Sequence, residues 1–177
     1  MTVIRAATTH ILTIRSMEPG DLPRLLQIEK QTPAPRWAAH QFKVDLRCGD
    51  RISLVATIKN YVVGFAIARL ASQISGAPGE VPAVPRAAGA DAPLPPVQLT
   101  LLHMAVAGDW LRRGVASTLL KQFEPFLRQP NDFIEAAVPE TNLAAQLLLR
   151  SAGYRAVRVL RGFYPDEDAY LMERRRG

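Results

Sequence analysis

The sequence predicts an α/β fold in which helices cover both faces of one mixed sheet. Short β-rich segments alternate with segments of helical period, in the order β-α-α-β-β-β-α-β-α-β-β. The 177 residues are 48% hydrophobic and 21% charged, which is typical of globular proteins, and their number fits one domain over 1–177. The formal net charge of +6 favours acidic partners, such as a nucleotide cofactor, RNA or a ribosomal surface.

The same sequence argues against several other classes of protein. No apolar run approaches the roughly 18 residues of a transmembrane helix, and the first ten residues do not resemble a secretory signal. Cys48 is the only cysteine, so no intrachain disulfide or thiolate metal cluster can form, and no metal is expected. No basic stretch is interleaved with aromatics. We expect a cytoplasmic protein with no membrane contact and no direct nucleic-acid readout.

The first half of the chain predicts one strand, two helices and a hairpin. Residues 11–15 alternate in a β-rich pattern, and the turn at 18–21 supplies an N-cap for the helix that follows. A Pro-Ala-Pro break precedes a second helix over 37–47. Strands predicted at 52–58 and 61–70 are separated by Lys-Asn, which favours a two-residue hairpin turn.

Residues 73–96 differ in kind, since they are rich in Pro, Ala and Gly and show no hydrophobic period. Prolines exclude a central strand, so we interpret the segment as a loop inserted at a hairpin tip, before a strand at 97–106. Helices follow at 112–128, where Pro125 bends or ends the helix, and at 142–152, where Gly153 closes it, with strands at 132–138, 157–160 and 169–172.

The transition from the strand at 97–106 into the helix at 112–128 has the chemistry of a phosphate cradle. Free N–H groups and the positive end of the dipole at a helix N-terminus favour an anion. Gly114, Ala116 and Ser117 leave room for a pyrophosphate, and Arg112 and Arg113 add positive charge.

Four segments, in order and with fitting spacings, resemble the GCN5-related N-acetyltransferase (GNAT) family, and within it the ribosomal-protein alanine N-acetyltransferases of the RimI type. The segments are 101–106 with 111–116, 142–149 with 153–154, 28–29 with Trp37, and 163–165 with 167–169. The resemblance covers nearly the whole chain. It implies a mostly antiparallel sheet with a splay between strands four and five, into which the pantetheine of acetyl-CoA inserts.

The resemblance also implies a set of cofactor contacts. Backbone groups of residues 104–106 are expected to hold the pantetheine and thioester, and the N–H groups of residues 112–117 the pyrophosphate. Asn142 is expected to cap its helix and also to reach the cofactor, or else to be a pure N-cap. The expected cofactor-binding residues are Met104, Ala105, Val106, Leu111, Arg112, Arg113, Gly114, Val115, Ala116, Ser117 and Asn142.

The chain departs from the family pattern at three positions. The first signature position, usually Gln or Arg, is Leu111; the tyrosine that protonates the leaving thiolate in many relatives falls at Leu149; and the RimI-type glutamate base falls at Ala137. An aliphatic side chain cannot exchange a proton. The resemblance therefore supports the cofactor more strongly than it supports one acid and one base.

Three residues are candidates to replace the missing catalytic groups, and each also has a structural interpretation. Glu135 lies on the same strand face as Ala137 and can act through a water, or be an ordinary charged residue. His103, on the cofactor strand, is a possible base or a hydrogen-bonded core residue. Tyr164 is a candidate acid or, preferably, a substrate contact. Candidates for binding the acceptor are Glu29, which otherwise is a solvated helix carboxylate, Trp37 and Tyr164.

We therefore expect an acetyl-CoA-dependent N-acetyltransferase that acts on a protein or peptide N-terminus, of the ribosomal-protein type, by direct attack in a ternary complex. An α-amine has a pKa near 8 and a lysine one near 10.4, so the α-amine needs less help from a base. The alternatives are a GNAT enzyme for a small-molecule amine and a non-catalytic acyl-CoA-binding module.

Overall fold

The computed structural model describes residues 11–32, 36–72 and 96–176. Its centre is a seven-stranded sheet of order β1-β2-β3-β4-β5-β7-β6. The strands are β1 Leu12–Ser16, β2 Arg51–Ile58, β3 Tyr61–Ser72, β4 Val97–Val106, β5 Phe133–Pro139, β6 Arg155–Tyr164 and β7 Glu167–Arg175. Neighbouring strands are antiparallel except β4 and β5, which are parallel. The predicted mixed, mostly antiparallel sheet is confirmed.

Helices pack on both faces of the sheet, as predicted. They are α1 Leu22–Glu29, α2 Ala39–Asp45, α3 Val115–Lys121 and α4 Leu143–Ser151. On one face, Leu25 and Ile28 of α1 and Phe42 of α2 form a buried cluster with side chains of β2 and β3. On the other face, α3 and α4 contribute a second cluster that includes Leu119 and Leu149. Each helix therefore buries one apolar stripe against the sheet.

Two predicted turns form for the expected reasons. Lys59 and Asn60 both have positive φ, 49° and 65°, which is the backbone of a type I′ hairpin turn. Gly153 has φ 88° just after α4, where Gly153 N donates to Arg150 O and Tyr154 N to Leu149 O. This is a Schellman ending of a helix.

The flanks of the predicted insertion are neighbours, because Ser72 of β3 pairs with Val97 of β4. The loop predicted over 73–96 itself lies outside the described residues, apart from Pro96.

The extents predicted for three elements were wrong. The helix predicted over 112–128 is α3 at Val115–Lys121 followed by a 3₁₀ turn at Glu124–Phe126. It begins late because Arg112 and Gly114 have positive φ, and Pro125 lies in the separate turn. Strand β6 is longer than predicted because it is largely exposed and its arginines hide the strand pattern. Strand β7, which pairs with it, is longer as well.

A bulge on β4 marks the point at which β4 and β5 separate. In the β3–β4 ladder Ile67 pairs with His103 and Ala68 with Leu101, so Leu102 is an extra residue on β4. Pairing between β4 and β5 runs from Gln98↔Phe133 to Leu101↔Ala136 and ends there. Because a bulge bends its strand and increases the local twist, it accounts for the predicted splay, which is confirmed.

Asp132 holds the closed end of β4 and β5 together. Its fully buried carboxylate accepts hydrogen bonds from Val97 N at 2.7 Å, Arg128 N at 2.6 Å and Gln129 N at 2.7 Å. These bonds tie the start of β4 to the turn that leads into β5. The strands are thus joined at one end and open at the other.

Among the helices described, none combines the length and the apolar character that a membrane crossing requires.

Candidate active site

The open edge of β4 is the first part of the candidate site. On its other side β4 stays paired with β3 up to Gly64↔Val106, so the strand remains part of the sheet while its edge toward β5 is unpaired beyond Leu101. Unpaired strand edges present backbone N–H and C=O groups in fixed directions. The residues predicted to hold a pantetheine, Met104, Ala105 and Val106, lie on this open part.

The second part is a run of free backbone N–H groups where β4 leads into α3. In the part of the chain that the structure describes, the N–H groups of residues 112–117 make no hydrogen bond. Arg112 has φ 60° and Gly114 has φ 80°, and left-handed residues alternating with ordinary ones curve successive N–H groups around one point. A concave set of N–H donors of this kind fits a phosphate group.

The side chains at the start of the same segment are exposed. Leu111 is 55% exposed, Arg112 is exposed, and the Arg113 guanidinium lies 5.1 Å above the centre of the Trp110 ring. The loss of the usual Gln or Arg at Leu111 therefore leaves the backbone donors intact. Val115 is buried, and Ala116 and Ser117 are half-buried at the start of α3.

Asn142 caps α4, since its Oδ1 accepts a hydrogen bond from Ala145 N at 3.1 Å. The capping interpretation of Asn142 is confirmed. Behind it, Gln146 Nε2 donates to Pro139 O at 3.1 Å and to Glu140 O at 2.9 Å. These bonds fix the end of β5, on the far side of the splay, to the first turns of α4.

A buried polar group lies on the α1 and α2 face of the sheet, beside the bulge. Glu29 Oε1 and His103 Nε2 are 2.6 Å apart, and Glu29 Oε2 accepts from Trp37 N at 2.9 Å. The Trp37 and His103 rings stack, with centroids 4.8 Å apart and planes 7° apart. Glu29 is 3% exposed, so the interpretation of Glu29 as a solvated helix carboxylate was wrong.

Glu135 lies in the paired part of β4 and β5, one step before the last parallel pair. Its Oε1 accepts from Gln98 Nε2 at 2.8 Å and from Thr100 Oγ1 at 3.3 Å, so the side chain links the two strands. Ala137, the position of the glutamate in the RimI-type pattern, follows beyond the last pair, Leu101↔Ala136.

Tyr164 is the third candidate, at the end of β6. Its hydroxyl donates to Ala137 O at 3.2 Å and so reaches the open part of β5. Burial, together with the charge of Glu167, raises the pKa of Tyr164 above its usual value. The phenol is therefore a proton donor rather than a base at neutral pH.

Some functional features could not be found from the sequence. The extra residue Leu102 gives no local signal, because it sits inside an unbroken apolar run. Gln31 Oε1 accepts from Gly108 N at 2.8 Å and joins the end of α1 to the cradle, although 77 positions separate the two residues. In the described ranges no three His, Cys, Asp or Glu side chains come together as metal ligands.

Comparisons with known proteins agree with this geometry. The family model described as acetyltransferase (GNAT) matches residues 22–154, more than half of the chain. The chain is 27% identical over 167 residues to an N-alpha-acetyltransferase of Saccharolobus solfataricus, with 92% of each chain covered.

Two solved structures share the fold. The ribosomal-protein-S18-alanine N-acetyltransferase of Escherichia coli has a TM-score of 0.70 and 24% identity, with 92% of each chain covered. Arabidopsis thaliana NAA60, solved in complex with acetyl-CoA, has a TM-score of 0.75 and 23% identity, over 93% of this chain and 98% of that one.

Proposed function

Given that the chain belongs to the acetyltransferase (GNAT) family, we propose that it transfers the acetyl group of acetyl-CoA to the N-terminal α-amine of a protein, directly within a ternary complex. One observation carries the proposal. The open edge of β4 leads through the short connection at 107–111 into the free N–H groups of residues 112–117, so one segment of backbone offers a strand edge to a pantetheine and then donors to a pyrophosphate.

The donor side of the site relies on backbone rather than side chains. Acetyl-CoA supplies an acyl thioester, whose carbonyl carbon an amine can attack. Residues 104–106 would hold its pantetheine and thioester, and residues 112–117 its pyrophosphate. Backbone donors are fixed before the reaction, so they can also stabilise negative charge that develops on the acyl oxygen. The aliphatic side chain of Leu111 is compatible with this proposal because it leaves the backbone donors in place.

The acceptor side lies on the α1 and α2 face of the sheet, where Trp37 and the half-buried Tyr164 are the proposed contacts for the peptide N-terminus. Trp37 sits at the connection between α1 and α2, and Tyr164 reaches over to β5. An α-amine is supported over lysine because its lower pKa leaves more of it neutral at pH 7. The relative from Saccharolobus solfataricus, named an N-alpha-acetyltransferase, supports the same class of acceptor.

As the finer substrate class we propose N-termini of ribosomal proteins. The supporting observations are the RimI-type sequence segments and the formal charge of +6, which suits docking to an acidic ribosomal surface. The fold shared with the S18-alanine enzyme is compatible with this class.

The test is acetyl transfer by the purified chain to peptides that begin with Ala, Ser or Met, with mass spectrometry to locate the acetyl group. Each peptide carries an internal lysine, and a matched peptide has a blocked α-amine. We expect acetylation of the free N-terminus and none of the blocked peptide. Acetylation of small amines alone would favour a small-molecule enzyme. Tight acetyl-CoA binding without transfer to any amine would favour a non-catalytic module.

A further inference from the structure

We propose that His103 is the general base of the transfer, with Nδ1 as the reacting atom, and that Glu29 is a positioning residue that sets the tautomer of His103. The inference rests on the proposed function. It is carried by the hydrogen bonds around Glu29 and by the position of His103 at the point where the sheet opens.

The imidazole is held in one orientation from several sides. Glu29 of α1 holds Nε2 at 2.6 Å, and the Trp37 ring stacks on the imidazole at a centroid distance of 4.8 Å. Phe42 of α2 and Phe65 of β3 contact the ring at centroid distances of 6.4 and 5.6 Å. Glu29 is the one titratable side chain among these contacts.

The tautomer follows from the partners of Glu29. Its Oε2 accepts from the Trp37 backbone N–H, and a carboxylate has no proton to donate, so its Oε1 accepts from the Nε2–H of His103. A neutral imidazole with its proton on Nε2 has a free lone pair on Nδ1. The carboxylate therefore directs the basic atom of His103 away from α1.

That lone pair is reachable. Among the described residues, His103 Nδ1 has no hydrogen-bond partner. In the same set, Ser53 Oγ is the only fully buried side-chain nitrogen or oxygen that lacks a partner, so Nδ1 is not fully buried. The His103 side chain is 13% exposed. Nδ1 thus keeps contact with the space outside the core, where an amine or a water can meet it.

The position of His103 along β4 connects it to the donor site. The residue follows the extra residue Leu102 and directly precedes the open edge at residues 104–106. The bulge also places Leu102 and His103 against the same apolar cluster, so the ring lies on the proposed acceptor face. A base on this face, at the start of the open edge, is next in the strand to the residues proposed to hold the thioester.

The other candidates have weaker claims to the role of base. Glu135 is bonded to Gln98 and Thr100 in the closed part of the two strands. Tyr164 holds its proton at neutral pH, as described above. Leu149 and Ala137 have no group that exchanges protons.

The proton transfers balance as follows. Nδ1 of His103 takes one proton from the α-ammonium, and the neutral nitrogen then attacks the thioester carbonyl carbon. The N–C bond forms and the C–S bond breaks. The departing thiolate takes a second proton, lost by the nitrogen that was attacked, and becomes the thiol of CoA. The third proton stays on the amide, and the imidazolium returns its proton to solvent.

Glu29→Gln tests the positioning role of Glu29, because glutamine has nearly the same size and can still form hydrogen bonds with Trp37 and His103. The Trp37 N–H needs an acceptor, so the amide oxygen of the new side chain must face it and the amide nitrogen must face Nε2. Nε2 then accepts a hydrogen bond, and the proton of the imidazole moves to Nδ1. We expect this inversion in ¹⁵N spectra of the histidine-labelled full chain, and a kcat lowered about 100-fold, within the range of general-base effects.

His103→Gln tests the base itself, because glutamine retains an N–H donor toward Glu29 but has no basic atom. We expect kcat to fall about 100-fold while the Kd for acetyl-CoA and the thermal midpoint stay close to wild type. The Glu29→Gln/His103→Gln double variant should be no slower than His103→Gln, since Glu29 acts through His103. His40→Gln, which changes an exposed histidine of α2, is the matched control and should keep full activity.

Each contrary outcome is decisive. A wild-type spectrum with the proton on Nδ1, or a His103→Gln enzyme as fast as wild type, overturns the base. A double variant whose two losses multiply overturns the positioning role of Glu29. A wild-type protein that acetylates no amine overturns the proposed function and, with it, the role of His103 as base. If the wild type is active and His103→Gln is equally fast, only the role of His103 is overturned.

Discussion

Gly64 of β3 lies against Val115, the first residue of α3. A Cβ added at Gly64 would lie 3.1 Å from Val115 Cγ1, 3.1 Å from Ala105 O and 3.2 Å from Val106 Cγ2. The absent side chain therefore lets the N-terminus of α3 sit directly on the sheet, beside the open edge of β4. We expect the position of the N–H groups of residues 112–117 to depend on this close contact.

Gly64→Ala should displace α3 by a few tenths of an ångström and weaken acetyl-CoA binding about tenfold, equal to about 1.4 kcal/mol. Titration calorimetry with acetyl-CoA measures the change. Gly49→Ala is the control, because a Cβ there meets no atom within 4 Å. Equal affinities of the two variants for acetyl-CoA would show that the packing of α3 against Gly64 does not determine cofactor binding.

Gly114→Ala tests the left-handed turn of the cradle. At φ 80° a Cβ strains the backbone by roughly 1–2 kcal/mol, and relief of that strain would turn the N–H groups out of the concavity. We expect lower stability and weaker acetyl-CoA binding. Gly162→Ala, at φ 58° on β6, carries a similar strain far from the cradle and should lower stability alone. Loss of affinity in both variants would contradict a specific role for Gly114.

Asp132→Asn should destabilise the fold by about 2 kcal/mol, because an amide cannot accept all three backbone N–H bonds as a carboxylate does. Urea unfolding measures the loss. Asp166→Asn, at an exposed turn, is the control and should be neutral.

The difference in stability between wild type and Asp132→Asn should depend on pH. Burial by itself raises the pKa of Asp132, but hydrogen bonds from the backbone N–H groups of Gln129, Val97 and Arg128 outweigh it, so the pKa lies below its usual value. A lowered pKa stabilises the fold above the unfolded-state value, near 3.9, and that contribution is lost as pH falls through the folded-state value. The stability gap between wild type and Asp132→Asn should be constant above about pH 5 and narrow in acid. A gap that grows in acid would contradict the assignment.

Tyr164→Phe should lower kcat or raise KM for the peptide about tenfold, since it removes the hydroxyl that reaches Ala137 O. Stability should change by only about 1 kcal/mol, the net value of one hydrogen bond. Because the pKa of Tyr164 is raised, any decline in the wild-type rate that ionisation of Tyr164 causes should have its midpoint above pH 10. Steady-state kinetics across pH 6–10 measure both effects, and an unchanged kcat/KM in the Phe variant would exclude Tyr164 from the site.

Features that depend on neighbours in the chain could be predicted from the sequence alone. Gly114 and the small residues after it indicate an anion cradle, because the N–H groups at issue belong to that same segment. Asn142 and Gly153 mark the two ends of α4 for the same local reason. The periodicity of the hydrophobic residues predicted the order of the strands and helices. The resemblance to the GNAT family predicted the splay between β4 and β5.

Only the tertiary structure decided which side chains work together. Glu29 and His103 are 74 positions apart, and their contact depends on how α1 packs across β4. The bulge at Leu102 exists only relative to the pairing partner β3, and Asp132 acquires its role from N–H groups on two other segments. Local backbone preferences determined the half of the site that is made of backbone. The half made of acid and base side chains was determined by packing between distant segments, for which the linear pattern carries no signal.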